Sequence, residues 1–332
     1  MGRPAVVVSI DTEEEGLWSN VYRPVGNSCR NLAWLPRLHQ VCTRLGVKPT
    51  YLVDYPVATD RAARSILKDL AAGGAAEIGA HLHPWCTPPL ELGARGRVTY
   101  AHQLPAAVQE AKLATLCAAI ASGFGVRPTS YRAGRWGFDA STVPVLERLG
   151  FTVDTSVRPL WWDRAAGAPS FRRARVSPYR LDRADASRAG ASSVVEVPVS
   201  SAFVGPLPAL LARATAFVPA AAPGMLYALE LAGLRSLLPE QQTLAQMCTL
   251  VDTLVARGVP VLNVMFHSPT AMPGATPFVR DRAQLERFVT RVEGLLEHAR
   301  ARHDALPLGL SDVPAYVGLA VTPPSPAARA TM

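Results

Sequence analysis

The sequence predicts an α/β protein in which a parallel sheet under helical cover closes into a distorted or incomplete (β/α) barrel. Two observations predict it. Short apolar, β-branched runs alternate with helical patterns at barrel-like spacing. The length of 332 residues suits the number of such units in one barrel-sized domain.

The elements follow in order. AVVVSID (5–11) reads as the first strand, and a helix covers 31–46. KPTYLV (48–53) is the second strand, entering a loop at Asp54; RAARSILKDLAAG is helical until Gly73-Gly74 stops it. EIGAHLH is the third strand, followed by a Pro-rich loop and a helix near 103–122. TSYRAG (129–134) is the fourth strand, 141–150 a short helix and FTVDTSV (151–157) the fifth strand. Residues 158–193 break the rhythm with Pro, Arg, Ser and Gly, the mark of a decorated loop or an insertion. VVEVPVS (194–200) resumes strand character, and 201–240 is an apolar excursion with no readable assignment. A helix at 241–257 precedes VPVLNVMFHS (259–268), the strongest late strand, and 281–302 is an amphipathic helix. LPLGLSDV reads as the closing strand. The expected organisation is one catalytic domain, 1–317, with irregular insertions at about 158–193 and 201–240 and a flexible tail at 318–332.

Hydrophobic residues make up 49% and charged residues 18%, a globular composition. The net charge of +8 invites a nucleic-acid reading, but only three of the 34 lysine and arginine residues are lysine, and the arginines are scattered. Their densest run is SFRRARVSPYRLDR. The order of readings is solvated surface, then an anionic partner near 171–188, with nucleic acid set aside as a partner. Five cysteines without a CxxC pair read as reduced thiols. MGRPAVVVSIDTEEE runs from a short apolar stretch straight into acid, unlike a signal peptide, so a cytoplasmic location is expected. The apolar stretch 214–229 is too short and too interrupted by proline to span a bilayer, which leaves peripheral membrane contact open. The sequence does not give the oligomeric state.

Polar residues sit where a barrel carries its chemistry, at the C-terminal ends of strands: Asp11 and Glu13, His81 and His83, Arg132, Asp154, and His267. Any one alone is weak, because a lone histidine on an apolar strand is more often a satisfied core group and a lone carboxylate more often a helix cap. Together they are harder to dismiss. Residues two apart in extended chain point to one side, so Asp11 and Glu13 share a face, as do His81 and His83. Carboxylate and imidazole together suit Zn²⁺ or a similar divalent ion, with Co²⁺ and Ni²⁺ as alternatives.

In that order, SIDTEEE, EIGAHLHPW, YRAGRWG, FTVDTSV and NVMFHSPT resemble the successive motifs of the polysaccharide deacetylases, the NodB-homology carbohydrate esterases. The resemblance runs from Ala5 to about Val313, irregularly through 158–250, and FHSPT followed by PGATPFVR looks more like the WalW-type branch. It implies a distorted (β/α) barrel and removal of acetyl from N-acetylated sugars with a divalent metal. By this resemblance Asp11 matches the general base, Glu13 a metal-binding carboxylate and His81 the first metal histidine. Arg132 matches the arginine that orients the base, His267 the acid histidine and Asp154 the carboxylate that tunes it. The usual second metal histidine stands four residues after the first, where this chain has Trp85. Either His83 replaces it or the site is one ligand short.

The expected chemistry is amide hydrolysis, in which the metal polarises the carbonyl and lowers the pKa of water to about 7. Asp11 takes the water proton, N–H groups near 133–136 join in stabilising the oxyanion, and His267 protonates the amine. Tryptophans 18, 85, 136, 161 and 162 can stack on sugar rings, with Trp85 and Trp136 as the substrate-binding candidates; ordinary core packing is the competing reading for each. Two functional alternatives stay open. One is hydrolysis of another amide, a cyclic ureide or an ester on the same site; the other is a non-catalytic carbohydrate-binding or scaffold protein that lost its metal.

Overall fold

A computed structural model describes residues 2–90, 98–161, 167–204 and 233–320. Its strands are β1 (Ala5–Thr12), β2 (Thr50–Val53), β3 (Glu77–Leu82), β4 (Ser130–Ala133), β5 (Val153–Asp154), β6 (Tyr179–Arg180), β7 (Val195–Glu196), β8 (Ser201–Phe203), β9 (Leu234–Ser236), β10 (Val261–His267) and β11 (Leu306–Pro307). The main sheet runs β10-β1-β2-β3-β4-β5-β7-β6, with β11 added beside β1. All its pairings are parallel except β6 with β7.

β1 is buried along its whole length, as befits a central parallel strand covered on both faces. Its alternation builds the site. Val6, Val8 and Ile10 join the core beneath the helices, while Ala5 and Val7 join a separate cluster with Leu52, Val153, Val195 and Val261 inside the curl of the sheet. The same parity carries Ser9 and Asp11 along the inner face. β10 repeats the pattern, with Leu262, Val264 and Phe266 in the outer core and Asn263 bonded to Ser9 on the inside. The interior is thus apolar at the strand starts and polar toward the strand ends.

The curl nearly closes. Beyond β7 the chain reaches β10, where the Ser200 N–H donates to the Asn263 carbonyl at 3.3 Å and the Asn263 N–H to Ser200 Oγ at 2.8 Å. The Met265 N–H donates to the Leu237 carbonyl at 3.0 Å. A few loop hydrogen bonds therefore stand where a complete barrel has a ladder, and the incomplete barrel expected from the sequence is what forms.

Helix ends follow local chemistry. The expected 31–46 helix divides into a 3₁₀ turn (Arg30–Trp34) and a helix (Leu35–Arg44), with Pro36 in the first turn where its missing N–H costs least. Asp60 and Asp281 cap the helices Arg61–Ala71 and Arg282–His303 by accepting N–H groups three residues on, and Thr243 with Gln246 forms a capping box on Leu244–Ala256. The expected strands 151–157 and 194–200 shrink to β5 and β7. Beyond them single bonds persist, Val197 N–H to Asp154 and Val199 N–H to Val157, while Thr155's carbonyl turns to Arg132. The first insertion holds β6 and is tied down through Glu147, which accepts from Arg183, Ser192 and Ser193. The second begins and ends in the antiparallel pair β8–β9. The apolar stretch 214–229 and most of the tail lie outside the described residues. Among the described residues no helix is long and apolar enough to cross a membrane.

Candidate active site

Strand register brings the candidates to one level. Asp11 is the β1 partner of His267 on β10, and His81 is the β3 partner of Arg132 on β4. Below them the interior is cross-linked by polar side chains. Arg132, fully buried, donates from Nη2 to Ser9 Oγ at 2.7 Å and to Thr155 Oγ1 at 3.0 Å, and from Nε to the Thr155 carbonyl at 2.9 Å. Asn263 donates to Thr155 Oγ1 at 2.9 Å and accepts from Ser9. This network fixes the guanidinium so that Nη1 meets Asp11 Oδ1 at 2.5 Å.

Glu13, His81 and His83 bring three donor atoms within 4.8 Å of one another, all three residues buried. His81 Nδ1 lies 3.0 Å from the Arg132 carbonyl, which can only accept, so Nδ1 donates to it and Nε2 is the nitrogen left to face Glu13. His83 Nδ1 is fixed in the same way by Glu14 Oε2 at 2.8 Å. Both Nε2 atoms turn to Glu13 Oε2, at 3.3 Å for His81 and 3.4 Å for His83. Donors at about 2.0–2.2 Å from a tetrahedral Zn²⁺ stand roughly 3.3–3.6 Å apart, so the observed spacing fits such an ion. The charge balance points the same way. Asp11, Glu13, Glu14 and Asp54 are all buried here, with Asp11 bonded to the guanidinium of Arg132 and Glu14 to His83. Burial, reinforced by Glu14, pushes the Asp54 carboxyl well up; burial opposes the charge on His83, but Glu14 raises that imidazole well above its usual range. The cluster takes up positive charge wherever it can. HxH spacing thus brings His83 beside His81 and Glu13 in one cluster.

Trp85 departs from expectation. It is buried, does not line the cavity, stacks on His83 at 4.3 Å between ring centroids and donates from Nε1 to Glu14 Oε1 at 2.9 Å. Its position is that of a support behind His83, because Pro84 turns the chain and carries the indole away from the cavity.

At His267 a second correction arises. The carboxylate on its Nδ1 is Glu240, with Oε2 at 2.9 Å, and Glu240 Oε1 also accepts the His267 N–H at 2.9 Å. Asp154 instead accepts from Ser156 Oγ at 2.6 Å, and Ser156 Oγ accepts the Ala133 N–H at 2.9 Å. Asp154 lies on the β4–β5 side, so it braces the end of β4 and makes no bond to His267. The same bond occupies the Ala133 N–H, the first of those expected to face an oxyanion. Glu240 escaped the sequence reading. Its only signal is that it is one of two carboxylates, with Glu230, between 201 and 240. Burial disfavours charge on both Asp11 and His267, but neighbours prevail in opposite senses. Arg132, His81 and His267 hold Asp11 below the usual carboxylate range; Glu240, Glu13 and Asp11 raise His267 to about 9.

These groups open into a cavity of about 430 Å³, walled by Trp18, Trp136 and Trp161 and holding Asp11, Glu13 and His267. Trp18 meets the His267 ring edge-on at 5.1 Å, and Arg132 lies under Trp136 at 5.6 Å. Trp136 is therefore placed where a ligand would touch it; Trp162 lies outside the described residues.

The sequence matches no protein-family model and no curated protein. Solved structures do align. A candidate polysaccharide deacetylase of Mycobacterium smegmatis superposes with a TM-score of 0.56 at 16% identity, over 98% of this chain and 96% of that one. The Xyl-CE4 domain of a xylanase from the Trinervitermes trinervoides hindgut metagenome gives 0.47 at 9% identity, over 98% and 95%. The peptidoglycan deacetylase PdaC of Bacillus subtilis gives 0.43 at 9%, over 96% and 93%. From the curled parallel sheet and the full-length Mycobacterium smegmatis alignment, the chain has the fold of the polysaccharide deacetylases.

Proposed function

We propose that the chain is a metal-dependent hydrolase that removes an N-acetyl group from a sugar or glycan precursor. The observation that carries this reading is the convergence, at one cavity, of a carboxylate paired with a buried guanidinium, an imidazole paired with a buried carboxylate and a His-His-Glu donor set. Glu13, His81 and His83 would hold a divalent ion, Zn²⁺ by donor chemistry with Co²⁺ or Ni²⁺ as alternatives. Such an ion supplies Lewis acidity, polarising the acyl oxygen and acidifying water.

The chain's own groups do the rest. Arg132 occupies Oδ1 of Asp11, which leaves Oδ2, 3.7 Å from His81 Nε2 and 3.8 Å from His267 Nε2, to take the proton of the attacking water. Glu240 holds the Nδ1 proton of His267, so Nε2–H points into the cavity and passes its proton to the departing amine. Water oxygen bonds to the carbonyl carbon, the C–N bond breaks, and acetate and amine leave. Opposed environments keep base and acid in their working forms at neutral pH.

The test is acetate release across N-acetylated monosaccharides, nucleotide-sugars and oligomers, with chelator and with metal added back. The expected result is release that the chelator abolishes and Zn²⁺ restores, and that Asp11→Asn removes. Full activity of the Asp11→Asn protein would contradict the proposal.

A further inference from the structure

We infer that the cavity selects acetylated sugars bearing an anionic oxygen group, a carboxylate or a phosphate, and that Arg135 binds it. The inference rests on the deacetylase reading for the reaction but on separate residues for the ligand. Arg135 lines the same cavity as Asp11 and His267. Its guanidinium lies 4.5 Å from the Tyr100 ring centroid and 5.3 Å from that of Tyr22, which holds the planar fork. Nη1 donates to Thr99 Oγ1 and Nη2 to the Tyr100 hydroxyl. No carboxylate among the described residues pairs with it. The surface behaves differently: Arg37, Arg44, Arg148 and Arg183 each meet a glutamate.

The backbone beneath it is built for this placement. Arg135 and Trp136 both adopt left-handed conformations, φ 54° and 60°, which side-chain-bearing residues rarely take. Gly134 precedes them because a Cβ there would stand 2.3 Å from His83 Cδ2. The turn is thus pressed against the donor histidine while it sends Arg135 and Trp136 into the cavity. Asp11 is already paired with Arg132 and Glu13 belongs to the donor set, which leaves Arg135 as a guanidinium of the cavity with no carboxylate partner among the described residues. A planar guanidinium between aromatic rings, with donors to spare, binds carboxylate or phosphate oxygens bidentately.

The experiment titrates the intact chain with glucose, glucose 6-phosphate and glucuronate, following cavity tryptophan fluorescence, for the wild type, Arg135→Gln and Arg135→Lys. The expected result is at least tenfold tighter binding of one anionic sugar than of glucose, lost in Arg135→Gln and partly kept in Arg135→Lys. Tighter binding of the 6-phosphate assigns phosphate, and of the uronate, a carboxylate. Equal binding of neutral and anionic sugars by the wild type, or a preference that survives in Arg135→Gln, overturns the inference. Acetate release from the matching N-acetylated sugars separates the two claims. An Arg135-dependent preference without any release supports the anion site and overturns the deacetylase reading; release equally efficient from neutral and anionic substrates does the reverse.

Discussion

Among the described residues two candidate donor clusters set two imidazoles against one carboxylate, and they differ in what holds them. Glu13, His81 and His83 are buried at strand ends, each histidine fixed through Nδ1, with Nε2 atoms 3.3 and 3.4 Å from the glutamate. Asp252, His298 and His303 stand on the facing helices Leu244–Ala256 and Arg282–His303, partly exposed. There Nε2 of His298 and of His303 lie 2.8 and 2.6 Å from one oxygen, Asp252 Oδ1, which Arg302 also approaches at 3.4 Å. Those are hydrogen-bond lengths. Two imidazoles and a carboxylate suit a metal only where outer bonds aim the ring nitrogens and hold them apart; here the other set ties two helices together.

The sharpest way to break this comparison is to remove a donor. His81→Ala or His83→Ala is expected to lose the ion and with it acetate release, whereas His298→Ala keeps both; elemental analysis beside an acetate assay checks this. Asp11→Asn is expected to lower acetate release by about 10²–10⁴-fold with the ion retained, since Asp11 is no donor to it. Glu14→Gln, which loosens the hold on His83 Nδ1, is expected to weaken Zn²⁺ affinity by roughly 10–100-fold in a competition titration. Glu240→Gln tests His267 through pH. As a general acid His267 must be protonated, so kcat/KM falls as pH rises through its pKa, which Glu240 helps raise to about 9. An ion on Glu13 removes part of that lift, placing the alkaline limb below 9. Without the Glu240 charge the limb moves further down, toward about 6.5, while Asp154→Asn leaves it in place. The smallest effect is expected for His303→Ala, a loss of about 1 kcal/mol or less in thermal or denaturant unfolding, because its partner is half-exposed.

Much of this site is legible because strands have a period of two. Residues 5, 7, 9, 11 and 13 read inward along β1 and its exit, and the spacing of His81 and His83 already puts both rings on one side. What failed lies where periodicity ends. Trp85 follows Pro84, past the strand, so parity no longer says which way the indole turns. Glu240 stands 27 residues before the histidine it orients, at the close of an excursion, and only the return of the chain beside β10 brings it there. Asp154 was legible as a strand-end acid but not by its facing: it follows Val153 of the inner cluster and stands in register with Tyr131 of the outer core, so parity turns it away from the cavity. Strand-borne groups come from local pattern; loop-borne partners come from tertiary path.

The most direct test is the zinc content of the dialysed protein, compared among the wild type, His83→Ala and His303→Ala. The account predicts about one ion per chain in the wild type and in His303→Ala, and almost none in His83→Ala. Full zinc retention by His83→Ala, or its loss from His303→Ala, would contradict it.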